Sequence, residues 1–165
     1  MKNDFLKKIN DFGLIFKFIK VYSKREGLDF LGWHFLQQSK DDHFSASISQ
    51  QNIRNHQREF KKYLKKCLDP PQPVDQVIQQ LNRKIQTWKN FYYPSYLAEY
   101  SEQSQQFKFQ LDDYLFWKIW YWIQKRHRTK SSKWLYQRYW KKLTSNQWVF
   151  SINNIYLKRY SSKNS

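Results

Sequence analysis

Val74-Asp75-Gln76-Val77-Ile78-Gln79-Gln80-Leu81-Asn82-Arg83-Lys84-Ile85-Gln86-Thr87-Trp88-Lys89-Asn90-Phe91-Tyr92 is the stretch that decides the fold class. Its bulky apolar residues fall at Val74, Val77, Ile78, Leu81, Ile85, Trp88 and Tyr92, steps of three and four that place them on one face of a helix. Pro73 stands just ahead of it, where proline's fixed φ suits a helix entrance, and Asp75 lies in the first turn, where the helix dipole favours a negative charge. Pro94 ends it.

Upstream, Ser49 is placed to cap a helix with Ile53, Phe60, Leu64 and Leu68 on one face and Arg54, Arg58, Lys61, Lys62 and Lys65 on another, stopped by Pro70-Pro71. Downstream, a polar linker from Glu99 to Gln106 precedes a third helix through Phe107, Leu111, Tyr114, Leu115, Ile119, Trp122 and Ile123. A fourth, capped by Ser131 or Ser132, carries Trp134, Leu135 and Tyr139. Ahead of the helices, bulky Leu28, Phe30, Trp33 and Phe35, the bends allowed by Gly27 and Gly32, and a polar turn at Lys40-Asp41-Asp42-His43 before Phe44 to Ile48 predict a β-hairpin. Gln147 to Leu157 predicts a short C-terminal hairpin turning at Asn153-Asn154, and Phe5 to Gly13 a short amphipathic helix. The fold class is therefore mainly α: a bundle of three to four helices preceded by a β-hairpin, with residues 1–48 as one region and 49–165 as the helical domain.

Lys and Arg total 30 against 13 Asp and Glu, and the excess is uneven. All 13 acids lie within residues 1–113, while residues 114–165 hold 12 Lys or Arg and no acid. Such a stretch repels itself unless an anion neutralises it, and a polyphosphate backbone is the usual large biological anion. A merely solubilising surface would not explain the aromatic rings interleaved with these charges, on which bases and Arg planes can stack. With 40% hydrophobic and 20% aromatic residues, the chain can bury a core of its own. Its apolar runs are all interrupted by Lys, Gln or Asp, which excludes a membrane span, and the first residues lack a signal-peptide core. The single Cys67 excludes an internal disulfide and any multi-cysteine zinc site, and it fits a reducing, intracellular setting, cytoplasmic or organellar.

Two carboxylate pairs, Asp41-Asp42 and Asp112-Asp113, invite a catalytic reading. Two-metal phosphoryl transfer needs carboxylates converging from separate strands. Neither pair has that context, and Asp112 or Asp113 is better read as a partner of a nearby Lys or the cap of a turn. His34, His43, His56 and His127 have no metal-ligand spacing, so neither a metal nor another cofactor is expected. The run Lys125-Arg126-His127-Arg128-Thr129-Lys130-Ser131-Ser132-Lys133 is different: amides and hydroxyls at a helix start beside several cations make a ready phosphate site, against the alternative of a solvated loop.

Three segments in one order carry a family resemblance: Gly27-Leu28-Asp29-Phe30-Leu31-Gly32-Trp33-His34-Phe35, then Leu81-Asn82 through Trp88 to Tyr92-Tyr93, then Lys125-Arg126-His127 through Trp134. Together they resemble the C-terminal third of group II intron reverse transcriptase/maturases, where an FDFLG hairpin leads into the RNA-binding thumb, also called the maturase domain or domain X. The resemblance runs from about Phe5, whose helix looks like the one that closes the palm, to about Phe150. It implies that the fingers and the polymerase aspartates would lie ahead of Met1, that Ile15 to Ile19 is an apolar segment left uncovered, and that the chain is no polymerase. It further implies a module binding structured intron RNA and assisting folding and splicing, with His127, Lys130, Ser131 and Trp134 matching the family's basic loop. Two other readings stay open: one half of a split reverse transcriptase completed by a separately encoded fingers/palm chain, and a decayed remnant. Arg83 and Thr87 stand where the family has proline and glycine, which predicts a straighter helix with a more distant neighbour; Arg128 replaces a common proline in the loop.

Overall fold

The computed structural model describes residues 27–37, 44–92, 102–144 and 147–161. The expected helix at Phe5 to Gly13, the Ile15 to Ile19 segment, the polar turn at Lys40 to His43 and the stop at Pro94 lie outside those residues.

Strands β1 (Leu28–Phe30), β2 (Trp33–Gln37) and β3 (Phe44–Ile48) form an antiparallel sheet in that order, with Phe30 opposite Trp33 and Trp33 opposite Ile48. The expected hairpin is present as β2–β3, and β1 is added by a second, two-residue turn. Leu31 and Gly32 both have positive φ there, 48° and 84°, the conformation that matches the natural twist of a tight hairpin. Gly32 is held by more than its φ. A Cβ on it would strike the Tyr92 hydroxyl and come within 3.0 Å of the Asn52 amide nitrogen. The Ser49 N–H donates to the Gly32 carbonyl at 2.9 Å, and the Trp33 ring lies 5.5 Å from that of Tyr92. The glycine of the first motif and the tyrosine of the second are thus two halves of one contact.

Helix α1 (Gln50–Lys66) starts at Ser49, whose hydroxyl accepts from the Asn52 N–H at 3.3 Å. It ends at Cys67, which is fully buried with its thiol donating to Gln72 Oε1 at 3.4 Å. Helix α2 (Val74–Tyr92) runs unbroken through Arg83 and Thr87. Both of those residues are exposed, so no neighbouring helix is pushed away by the bulkier side chain. Helix α3 (Glu102–Arg126) begins inside the stretch expected to be a linker. Helix α4 (Ser132–Tyr139) takes Ser131 as its cap, the Oγ accepting from the Trp134 N–H at 3.2 Å. A second antiparallel sheet follows, β4 (Trp140–Thr144), β5 (Gln147–Ile152) and β6 (Ile155–Tyr156). Its last turn falls at Asn153-Asn154, with φ of 49° and 61°; asparagine tolerates this region better than most residues.

The apolar stripe of α2 forms the centre of the core, with Val77, Ile78, Leu81 and Ile85 at 0% exposure and Trp88 and Tyr92 at its end. Leu111, Leu115, Ile119 and Ile123 of α3, Phe60 and Leu64 of α1 and Leu135 of α4 close around it. The segment after β6 then lies in a seam over α2 and α3. Asn82 grips it twice, its amide donating to the Tyr156 carbonyl and its Oδ1 accepting from the Lys158 N–H, each at 2.7 Å. Asp112, buried on α3, accepts from the Tyr160 and Ser161 N–H groups at 2.7 and 3.1 Å and from the Ser161 hydroxyl at 2.5 Å. It caps a turn of the chain. Tyr160 is buried beneath, its hydroxyl 2.7 Å from His56 Nε2, while the His56 ring stacks on Trp88 at 4.8 Å. Burial, and secondarily the charge of Lys84, bring His56 down to about 4.

Candidate nucleic-acid interface

On α1, the steps Arg54, Arg58, Lys61 and Lys65 follow the helical repeat, so all four lie in one exposed stripe beside the buried stripe of Ile53, Phe60 and Leu64. Lys62 is exposed farther round the helix and borders a shallow depression with Glu59, Asp69 and Lys84. Helix α3 packs alongside, tied to α1 by the Tyr114 hydroxyl, which donates to the Gln57 carbonyl at 2.9 Å.

Where the two helices run side by side they leave an open groove of about 350 Å³. Lys61 and Lys65 stand on its α1 edge and Lys118 and Lys125 on its α3 edge, while Leu64, Leu68, Tyr121 and Trp122 supply an apolar floor and wall. Among the described residues, no carboxylate lines it. Tyr121 is 53% exposed and stacks on the equally exposed Trp117 one turn earlier, ring centres 6.0 Å apart. Lys118 sits over the Tyr114 ring at 5.0 Å. Tyr114, Trp117, Lys118, Tyr121 and Lys125 recur at three- and four-residue steps, so one face of α3 presents rings and ammonium groups together.

The loop between α3 and α4 divides its residues. Arg126 turns inward, donating to the Gln72 carbonyl at 2.6 Å and lying 5.8 Å over the Trp122 ring. His127 is half-buried, its Nε2 2.8 Å from the Tyr139 hydroxyl and its ring edge against Trp134. Burial first, then the charges of Arg126, Arg138 and Lys130, keep its imidazole below the ordinary histidine range. Lys125, Arg128, Lys130, Ser131 and Lys133 remain exposed. The Ser131 hydroxyl caps α4, and Trp134 is half-buried with Lys130 and Arg138 cations 5.4 and 5.6 Å from its ring centre. Lys125 belongs to both the loop and the groove, so the two basic stretches read separately in the sequence meet at the end of α3.

Trp117 and Tyr121 count among the rings of the acid-free stretch, but neither they nor Lys118 can be placed at a site from the sequence alone. Their only signal is the three- and four-residue recurrence with Lys125, and it is masked because α3 is apolar nearly all round. Among the described residues, no group of three or more His, Cys, Asp or Glu is placed to hold a metal ion, and no helix is long and apolar enough to cross a membrane.

The family described as "Group II intron, maturase-specific domain" matches residues 57–140, a span that contains most of α1, all of α2, α3 and α4, and the whole loop. The ribosomal operon-associated A protein of Euglena longa is 29% identical over 153 residues, which cover 93% of this chain. Those residues make up 25% of that protein, so the chain spans about a quarter of its relative's length.

Proposed function

The chain belongs to the group II intron maturase-specific domain family, and from that premise we propose that it binds structured group II intron RNA and assists its folding and splicing, the RNA supplying the chemistry. The family matched is the maturase domain rather than the polymerase catalytic region. The observation that carries the reading is the cationic face made by the α1 stripe, the groove and the exposed part of the α3–α4 loop, with stacked rings beside it and no acid among the described residues that line the groove. Cations spread over a helical surface position phosphates and recognise the shape of a folded RNA more than its base edges.

The test is binding of the purified chain to a group II intron RNA over a salt series, with circular dichroism to verify the fold. Replacing Arg58, Lys61 and Lys65 with Gln removes three cations. If each neutralises a phosphate in an unpaired region, the slope of log affinity against log salt flattens by about two units. An unchanged affinity and slope would overturn the assignment of this face. A gain in intron splicing on addition of the chain, lost with the triple variant, links the binding to the function.

A further inference from the structure

We propose that the groove between α1 and α3 seats the base of one unpaired nucleotide, with the phosphates on either side of it held by the lysines of the two edges. The inference rests on the RNA-binding reading above and narrows it to a class of RNA site: a bulge or single-stranded junction rather than an uninterrupted duplex.

The groove has the wrong floor for a phosphate and the right one for a base. A site built for phosphate alone would offer N–H and O–H donors at its bottom, whereas Leu64, Leu68 and the Tyr121 ring are apolar. Its lysines are exposed or half-exposed, whereas Leu64 and Trp122 are buried. A flat apolar body flanked by anions on each side matches both, and that describes one nucleotide within a strand. The volume of about 350 Å³ lies within the range of small-molecule sites, roughly 300 to 1,000 Å³. The floor also contains one orphan donor: the buried Trp122 indole N–H has no acceptor among the described residues, and the oxygen or ring nitrogen of an entering base can supply one after a small rotation of the indole. Tyr121, half exposed and backed by Trp117, is a stacking surface held in place without a base present. A paired base cannot enter without first leaving its stack, a cost that is least where the nucleotide is already unpaired.

The experiment compares two RNA hairpins of equal length, one fully paired and one with a single bulged 2-aminopurine nucleotide, binding to the full chain. The bulged hairpin is expected to bind about tenfold tighter, the contribution of roughly one base stacked on an aromatic ring, with a change in 2-aminopurine fluorescence on binding. Tyr121→Ala should erase the preference, so that the two hairpins bind alike, and Tyr121→Phe should retain it. Equal affinity for the two hairpins, or a preference that survives Tyr121→Ala, overturns the base site and leaves the RNA-binding reading intact. Failure of both hairpins and of intron RNA to bind overturns both, and competition by an acidic amphipathic peptide that binds the groove more tightly than RNA would assign it to a protein partner instead.

Discussion

The seam that holds the C-terminal segment and the groove between α1 and α3 are built from the same kinds of residue, rings and cations, and among the described residues only the seam has counterparts for them. In the seam the chain supplies its own counterparts. Tyr160 meets the stacked rings of His56 and Trp88 edge-on, Asp112 takes three donors, and the buried Lys89 ammonium donates to the Arg159 carbonyl at 3.4 Å. Burial, and then the nearby Lys108 charge, lower the Lys89 pKa from the ordinary lysine range. In the groove, four lysines face one another around Tyr121 with no acid among the lining residues. A basic, aromatic composition therefore makes core where the fold brings a partner and leaves a binding surface where it does not.

The contrast breaks most visibly at Asp112. Asp112→Ala leaves two N–H groups and a hydroxyl without an acceptor inside the seam, which should cost about 3 kcal/mol. For a chain of this size, that corresponds to a fall in melting temperature of about 6 to 12 °C, measured by circular dichroism or calorimetry. RNA affinity of the protein that remains folded should stay the same, because the groove lies elsewhere. A loss of RNA affinity without a loss of stability would reverse the two assignments.

His56 gives a second, smaller handle on the same seam. Its ordinary value is 6.5 and the folded protein brings it to about 4, so between those values the unfolded chain carries more protons than the folded one. The stability due to the neutral ring is fully present above about pH 6.5 and is lost as the pH falls toward 4, by at most about 1.4 kcal/mol per pH unit. His127 is shifted the same way and adds to the trend. Urea midpoints should therefore drop between pH 6.5 and 5, and His56→Gln should flatten the drop at the expense of a lower midpoint overall. A midpoint independent of pH across that window would mean that the ring is protonated in place and that water reaches it.

Much of the fold, but little of the seam or the groove, could be read from the sequence, for physical reasons. The α2 period, the Ser49 and Ser131 caps and the Asn153-Asn154 turn are local signals, each carried by a few adjacent residues. The residues of β1 are legible as strand, but the turn that separates it from β2 is not, because it needs positive φ at Leu31, a residue with no preference for that region. The start of α3 at Glu102 lies inside the expected linker because Glu, Gln and Ser suit a polar linker and a solvated helix turn equally. Strand β4 follows α4 with no glycine or proline to announce the change. The groove is a relation between Lys61 and Lys65 on one helix and Lys118 and Lys125 on another, 53 to 64 residues away. Only the packing of α1 on α3 creates it, and α3 is apolar on too many sides for sequence alone to say which face meets α1.

The smallest expected effect is also the one that most sharply separates the two regions. Lysines gathered around a groove with no acid repel one another in the folded chain and less so when it unfolds. Lys65→Gln combined with Lys118→Gln should therefore leave stability unchanged or raise it by less than about 0.5 kcal/mol, with the gain present at low salt. At 1 M salt the screening length shrinks to about 3 Å and the gain should vanish. The same pair of substitutions should weaken RNA binding, so stability and affinity move in opposite directions, whereas Asp112→Ala lowers stability alone. Chemical denaturation of parent and double variant at low and high salt measures the first, and hairpin binding the second. A double variant that is clearly less stable than its parent would mean that these ammonium groups already have acceptors within the fold, and the groove would then be another seam closed by the protein itself.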